Sequence, residues 1–207
     1  MSFKSFSEIN DFHIDVLREI ANIGSGNAAS SLSRMLGHPV GISIPDIGIV
    51  GFDEAVGILG GAEAVMVGTL LTFTGGIDGM MMFLMPSEIA CDLVNMLMFT
   101  EISCHEEIDE IGFSAISEVS NIMSASFVTA IADMTSIPID ISPPAAALDM
   151  LASIMSVPSI YFAKVSDTLL LIQNELEIEG KRASASVLLL PDMPSLEKLM
   201  TSLGIEI

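Results

Sequence analysis

The feature that most constrains this chain is a polar pattern written twice in one register. Asp15, Glu19 and Asn22 stand at i, i+4 and i+7, and Pro45 follows after 22 intervening residues; Ser114, Glu118, Asn121 and Pro144 repeat the spacing 99 residues later. A Glu and an Asn three apart share one face of a helix, with Cβ atoms about 5–6 Å apart. A fold that presents two such faces is built from two similar halves. A half of this size has a thin core by itself. The halves, at about 10–100 and 107–207, are therefore expected to share one core in a single domain over residues 1–207.

The order of elements within each half follows from periodicity. Asn10 or Asp11 caps a long helix whose apolar stripe is Ile14, Val16, Leu17, Ile20, Ile23, Leu32, Met35 and Leu36, ending at Gly37. Asp15, Glu19 and Asn22 take the other face. Gly24 and Gly26 inside this helix each cost about 1 kcal/mol against Ala and mark a bend or the close approach of another backbone. A strand at Val40 to Ile44 is expected next, then a short helix at Phe52 to Leu59, strands at Val65 to Phe73 and Gly79 to Met85, and a helix from Ser87 to about Met98.

The second half reads in the same order. Its long helix is expected from about Glu107 to Met134, with the stripe Ile108, Ile111, Ala115, Ile116, Val119, Ile122, Met123, Phe127, Ala130 and Ile131. A strand at Ile137 to Ile141, a short helix at Ala145 to Met155, strands near Ser159 to Val165, Leu169 to Ile178 and Ala185 to Leu190, and a helix at Pro194 to Leu203 complete it. Merged, the halves make an α+β domain: a pseudo-two-fold internal repeat, a mostly antiparallel sheet and two long site-bearing helices.

Composition removes several function classes. Seven Lys and Arg against 27 Asp and Glu give a net charge of −20, which opposes binding to nucleic acid. If phosphate chemistry happens here, the cations must come from the partner. Mean hydropathy is high at +0.66. Even so, the richest apolar stretch, Ala64 to Met85, is broken by Gly75, Gly76 and Asp78 and reads as two strands, so no membrane insertion is expected. The first residues have no apolar leader, which points to the cytoplasm. Cys91 and Cys104 stand at no metal-ligand spacing and are read as core or near-core thiols, and the three His have no ligand-like spacing either, so no metal site is expected. Gly24-Ser25-Gly26-Asn27-Ala28-Ala29 fits a dinucleotide loop only superficially, because helix rather than strand precedes it.

A solitary Glu-x-x-Asn on a helix is ordinarily a solvated face. Average residue usage makes one chance match to the full pattern a matter of roughly one chain in a few hundred. Two in register are far rarer. Surface polar residues are also what a duplicated scaffold loses first.

The pattern resembles the signature of the CheC/CheX/FliY family of bacterial and archaeal chemotaxis phosphatases: Asp or Ser, three residues, Glu, two residues, Asn, 22 residues, Pro. This chain is similar to it twice without a departure, and the Asn-Ile-Gly-x-Gly-Asn-Ala-Ala run at 22–29 extends the likeness. Two complete sites in a chain of this length fit the two-site members. The resemblance implies hydrolysis of the aspartyl phosphate on the response regulator CheY. It implies that Asn22 and Asn121 orient the attacking water and that Glu19 and Glu118 pair with the regulator's Lys, with Asp15 and Ser114 in support and Pro45 and Pro144 shaping the chain. Mg²⁺ would sit on the regulator, with no cofactor on this chain. The resemblance also implies docking of the receptor deamidase CheD after the second site, at Pro144 to Met150, with Asp149 the contact residue on a short helix. The alternative from the same resemblance is a non-catalytic CheY- or CheD-binding or flagellar-switch module.

Overall fold

The structure, a computed structural model, describes residues 9–162, 168–178 and 180–205, apart from the side chains of 178 and 181–183. The first eight residues, read above as lacking an apolar leader, lie outside the described residues. Helix α1 (Asp11–Leu36) starts in a reciprocal cap: the Asn10 side chain accepts from His13 N at 3.1 Å, and His13 Nδ1 accepts from Asn10 N at 3.0 Å. It stops at Gly37, whose φ of 69° is left-handed backbone that a residue without Cβ adopts at little cost.

The elements that follow are β1 (Val40–Ile42), β2 (Asp46–Gly51), α2 (Phe52–Ile58), β3 (Val65–Gly75), β4 (Gly79–Pro86) and α3 (Ser87–Met98). The second half opens with α4 (Glu110–Thr135), followed by β5 (Ile139–Ile141), β6 (Ala145–Met150), α5 (Leu151–Phe162), β7 (Thr168–Ile178), β8 (Lys181–Pro191) and α6 (Met193–Ser202). Helix α4 begins later than Glu107 because His105–Glu107 closes a 3-10 turn and Asp109 supplies the cap, accepting from Gly112 N at 2.8 Å.

Three expectations fail here. Strand β2 was not foreseen. Its counterpart β6 occupies Ala145–Met150, where a short helix was expected, because pairing with β3 overrides the weak strand preference of Ala. Helix α5 runs through Phe162, so Ser159 to Phe162 is helix and not strand; the remaining 163–165 of that expected strand lie outside the described residues.

All eight strands form one sheet, in the order β1-β7-β8-β4-β3-β5, with β2 also on β7 and β6 also on β3, and every pairing is antiparallel. The pseudo-two-fold relation passes through the central β4–β8 pair. Each half's short strands therefore edge the other half's hairpin: β1 and β2 lie on β7, and β5 and β6 lie on β3. Neither half has a complete sheet without the other.

Strand alternation sends side chains to two layers. On one face Leu71, Met81, Phe83 and Val187 meet α1, α3, α4 and α6; on the other Met80, Met82, Leu84 and Leu188 meet Ala55 of α2 and Leu151, Ile154 and Phe162 of α5. Each such side chain stabilises the fold by about 1.5–3 kcal/mol through burial. Among the described residues α4 alone has the length and hydropathy of a membrane-crossing helix, and half of that window is buried inside the protein. Cys91 is buried as expected, whereas Cys104 is exposed in the acidic loop, a correction to its near-core reading.

Candidate functional site

Helices α1 and α4 lie side by side on one sheet face and approach very closely. A Cβ at Gly24 would stand 3.0 Å from Phe127 Cδ1 and 3.2 Å from the Phe127 Cα, so Gly24 is the close-approach glycine; Gly26 has nothing within 4 Å. Fixing the seam orients the outward faces of both helices.

On α1, Asp15, Glu19 and Asn22 are all exposed. Arg18 Nη1 donates to Asp15 Oδ1, an i, i+3 pair. On α4, Ser114 and Glu118 are exposed and Asn121 is half-buried. The hydroxyls of Ser114 and Ser117 turn back onto their own helix, donating to Glu110 O at 2.8 Å and Phe113 O at 2.9 Å. The two polar sets lie on two different helices, each making its own within-helix contacts. A solvent-facing Glu and Asn one turn apart offer an anionic acceptor and an amide that can both donate and accept. That arrangement can hold a cationic side chain and a water next to each other.

The two prolines sit at matching bulges. Between Ile42, paired with Leu176, and Asp46, paired with Gln173, four steps on one strand face three on the other. The same mismatch falls between Ile141, paired with Phe73, and Ala145, paired with Leu70. Pro45 and Pro144 occupy these bulges, where a ladder N–H is dispensable. Pro45 is buried and Pro144 half-buried, so both act on the course of the edge strands.

Asp149 stands apart from both faces, on β6. Its carboxylate accepts from Met150 N and Ser153 Oγ at 2.7 Å each, and these two donors, the Ser153 hydroxyl foremost, hold its pKa below the usual carboxylate range. The expected helix is a strand here, and Asp149 leads directly into α5. Beside it an open groove of about 410 Å³ is lined by Ala145, Ala147, Asp149, Ser153 and Val157. Met150, Val157, Ile160 and Tyr161 are exposed nearby in sequence.

Periodicity misplaced two residues of the site surface. Ile111 and Ile23, assigned to buried stripes, are 64% and 36% exposed. Phe12, which the sequence reading passed over, is 61% exposed and stands 99 residues before Ile111; the repeat spacing was the signal that could have found it. Among the described residues no group of three or more His, Cys, Asp or Glu is placed to hold a metal ion. Burial pushes the Cys91 thiol up, and the Glu106 carboxylate pushes Cys104 up, so neither is set up as a thiolate nucleophile.

The sequence model of the CheC-like family matches residues 12–49 and again 111–148, two segments 99 residues apart that contain both polar sets and both prolines. Over 203 residues the chain is 30% identical to the CheY-P phosphatase CheC of Bacillus subtilis, covering 96% of this chain and 97% of that protein. Among solved structures, Thermotoga maritima FliY superposes with a TM-score of 0.77 at 24% identity, covering 95% of this chain and 98% of that one. The FliM middle domain of H. pylori superposes with 0.69 at 12% identity, covering 94% and 99%. These two likenesses concern the fold alone.

Proposed function

We infer the function from one premise, that the chain belongs to the CheC-like family, and propose that it is a chemotaxis phosphatase hydrolysing the aspartyl phosphate of CheY. The observation that carries this reading is the duplicated Glu-x-x-Asn on α1 and α4, exposed at Glu19, Asn22 and Glu118 and half-buried at Asn121, in a chain related over nearly its whole length to a CheY-P phosphatase. An acyl phosphate is already activated. Its hydrolysis requires a placed water and neutralised charge more than a strong nucleophile.

In the proposed complex Asn22 or Asn121 enters the regulator's active site and orients the attacking water through its amide. Glu19 or Glu118 pairs with the regulator's Lys, and Asp15 and Ser114 support the pair from one turn away. Mg²⁺ is held by the regulator's own carboxylates and there neutralises phosphoryl charge. This division of labour explains how a chain with a net charge of −20 can act on a phosphorylated protein: its substrate carries the cations. The proposal puts the protein in the cytoplasm with its partners.

The test is decay of phosphorylated CheY with Mg²⁺ for wild type, Asn22→Ala, Asn121→Ala and the double variant. The double variant is expected to lose about 100-fold in rate, the scale of removing one positioned hydrogen-bonding group. A double variant as active as wild type would sink the helix-face mechanism and leave the binding module in the lead.

A second surface is proposed for CheD, with Asp149 as its contact. The exposed β6 edge, the adjoining groove and the exposed apolar residues of α5 support it. Asp149→Arg is expected to abolish CheD capture without changing CheY-phosphate hydrolysis; capture at the wild-type level would remove Asp149 from the interface.

A further inference from the structure

Three residues before the Asp or Ser of each polar set, a large apolar side chain faces water: Phe12 on α1 and Ile111 on α4, 61% and 64% exposed. Neither belongs to the core cluster beneath these helices. Directly after each Asn stand Ile23, 36% exposed, and Ile122, half-buried. One exposed apolar residue means little on a protein surface. The same position exposed twice, 99 residues apart, is different: the repeat has reproduced a surface feature that does nothing for the core.

Helical geometry joins these residues to the polar sets. Phe12, Asp15, Glu19 and Ile23 follow one another at spacings of three and four, as do Ile111, Ser114, Glu118 and Ile122. Each face is therefore a single stripe with an apolar end, a carboxylate and an amide. That is the make-up of an interface with an apolar anchor beside a polar contact.

We propose that Phe12 and Ile111 are apolar anchors that seat the phosphorylated receiver protein against each face, contacting apolar surface on it about 15 Å along the helix from the Asn that enters its phosphoryl pocket. The proposal rests on the phosphatase reading. The occupant is the receiver because anchor and Glu-Asn pair share one stripe and must meet one partner. A second copy of this chain is disfavoured on charge: each stripe starts beside an acidic first-turn residue, Asp11 or Glu110, in a chain of net charge −20, and two such faces repel. Phe12 offers more apolar area than Ile111, so the first site should hold the receiver more tightly.

The experiment uses the full chain with one site disabled and CheY phosphorylated in the presence of Mg²⁺. With Asn121→Ala as background, Phe12→Ala should raise KM about tenfold and leave kcat within about twofold, the signature of lost uniform binding. Phe12→Leu should recover most of the loss. With Asn22→Ala as background, Ile111→Ala should raise KM about threefold. Both positions are exposed, so unchanged melting curves are expected to exclude misfolding. An unchanged KM for Phe12→Ala, where adding Asn22→Ala to the same background abolishes hydrolysis, overturns the anchor and leaves the phosphatase reading standing. Full hydrolysis by the Asn22→Ala, Asn121→Ala double variant overturns the reading itself. Self-association of the wild type in sedimentation, lost in Phe12→Ala, overturns the proposal by making a second copy the occupant.

Discussion

The two faces carry the same Glu-Asn pair on differently furnished surroundings. The first has Asp11, Asp15 and Glu19 with Arg18 paired to Asp15; the second has Glu110 and Glu118, with Ser at the positions of Asp15 and Arg18. Counted within the helices and leaving out the caps, Asn10 on the first and Asp109 on the second, three carboxylates with one guanidinium and two carboxylates alone come to the same formal charge. The first face keeps Asn22 exposed and starts at a Phe, and the second keeps Asn121 half-buried and starts at an Ile. The lesson is that the repeat holds the pair and the charge fixed while the means of reaching that charge, and the apolar contact area, have diverged.

The same divergence runs through the seam beneath the faces, where the largest effect is expected. α1 contributes Gly24 and Ala28 to the crossing, and the equivalent α4 residues are Met123 and Phe127. Bulk comes from α4 alone. Phe127 is 2% exposed and lines a void of about 10 Å³ with Leu17, Ile20 and Met81. Phe127→Ala should cost about 3–5 kcal/mol in denaturant unfolding, because the void grows and the surroundings close only in part. Ala28→Gly, at the equivalent position, should cost about 1 kcal/mol. Equal losses would show that the seam is symmetric after all.

A second comparison isolates one hydrogen bond. Ser25 and Ser124 are equivalent and both buried, at 2% and 3% exposure. Ser25 Oγ donates to Asn174 Oδ1 at 2.9 Å, whereas Ser124 Oγ has no partner among the described residues. The reason lies in the sheet: Asn174 is the seventh residue of β7, and the seventh of β3 is Leu71. Ser25→Ala should cost about 1–3 kcal/mol, since it strands a buried amide, while Ser124→Ala should be neutral or slightly stabilising. Thermal unfolding of the two variants side by side measures it, and a loss of similar size at Ser124 would reveal a partner for that hydroxyl.

These cases show what the sequence could and could not convey. The long helices were legible because apolar periodicity runs through 26 residues of each, with a cap at Asn10 and a stop at Gly37 on the first; on the second, the Asp109 cap and the left-handed Ser136 that ends it emerge only from the structure. The hairpins were legible as apolar runs bounded by Gly. β2 and β6 were not: in Asp46–Gly51 the strand-favouring Ile47, Ile49 and Val50 are interrupted by Gly48, Ala145–Met150 has weak strand chemistry, and both are held by partners more than 60 residues away. The exchange of short strands between halves and the Ser25–Asn174 bond are likewise long-range. At the site, the recurring residues were legible from spacing alone. Ile111 was misread because an apolar residue one turn into a helix fits a core stripe equally well, and only the packing of α4 shows that it faces water.

The smallest expected effect tests whether charge balance is what Arg18 contributes. The Arg18 and Asp15 side chains are 39% and 67% exposed, so Arg18→Ser should change stability by under about 1 kcal/mol. It does leave Asp15 and Glu19 one turn apart with no cation between them, and like charges at that spacing repel. The regulator's Lys relieves that repulsion on binding, so with Asn121→Ala as background, Arg18→Ser should lower KM for phosphorylated CheY about two- to threefold at low salt. The change should fade as ionic strength shortens the reach of an exposed charge. The reciprocal variant, Ser114→Asp with Ser117→Arg in the Asn22→Ala background, adds one charge of each sign to the second face and should leave KM within about twofold. A rise in KM that persists at high salt would instead point to direct contact of Arg18 with the phosphoryl group. The two faces would then differ in mechanism and not merely in the way they reach the same charge.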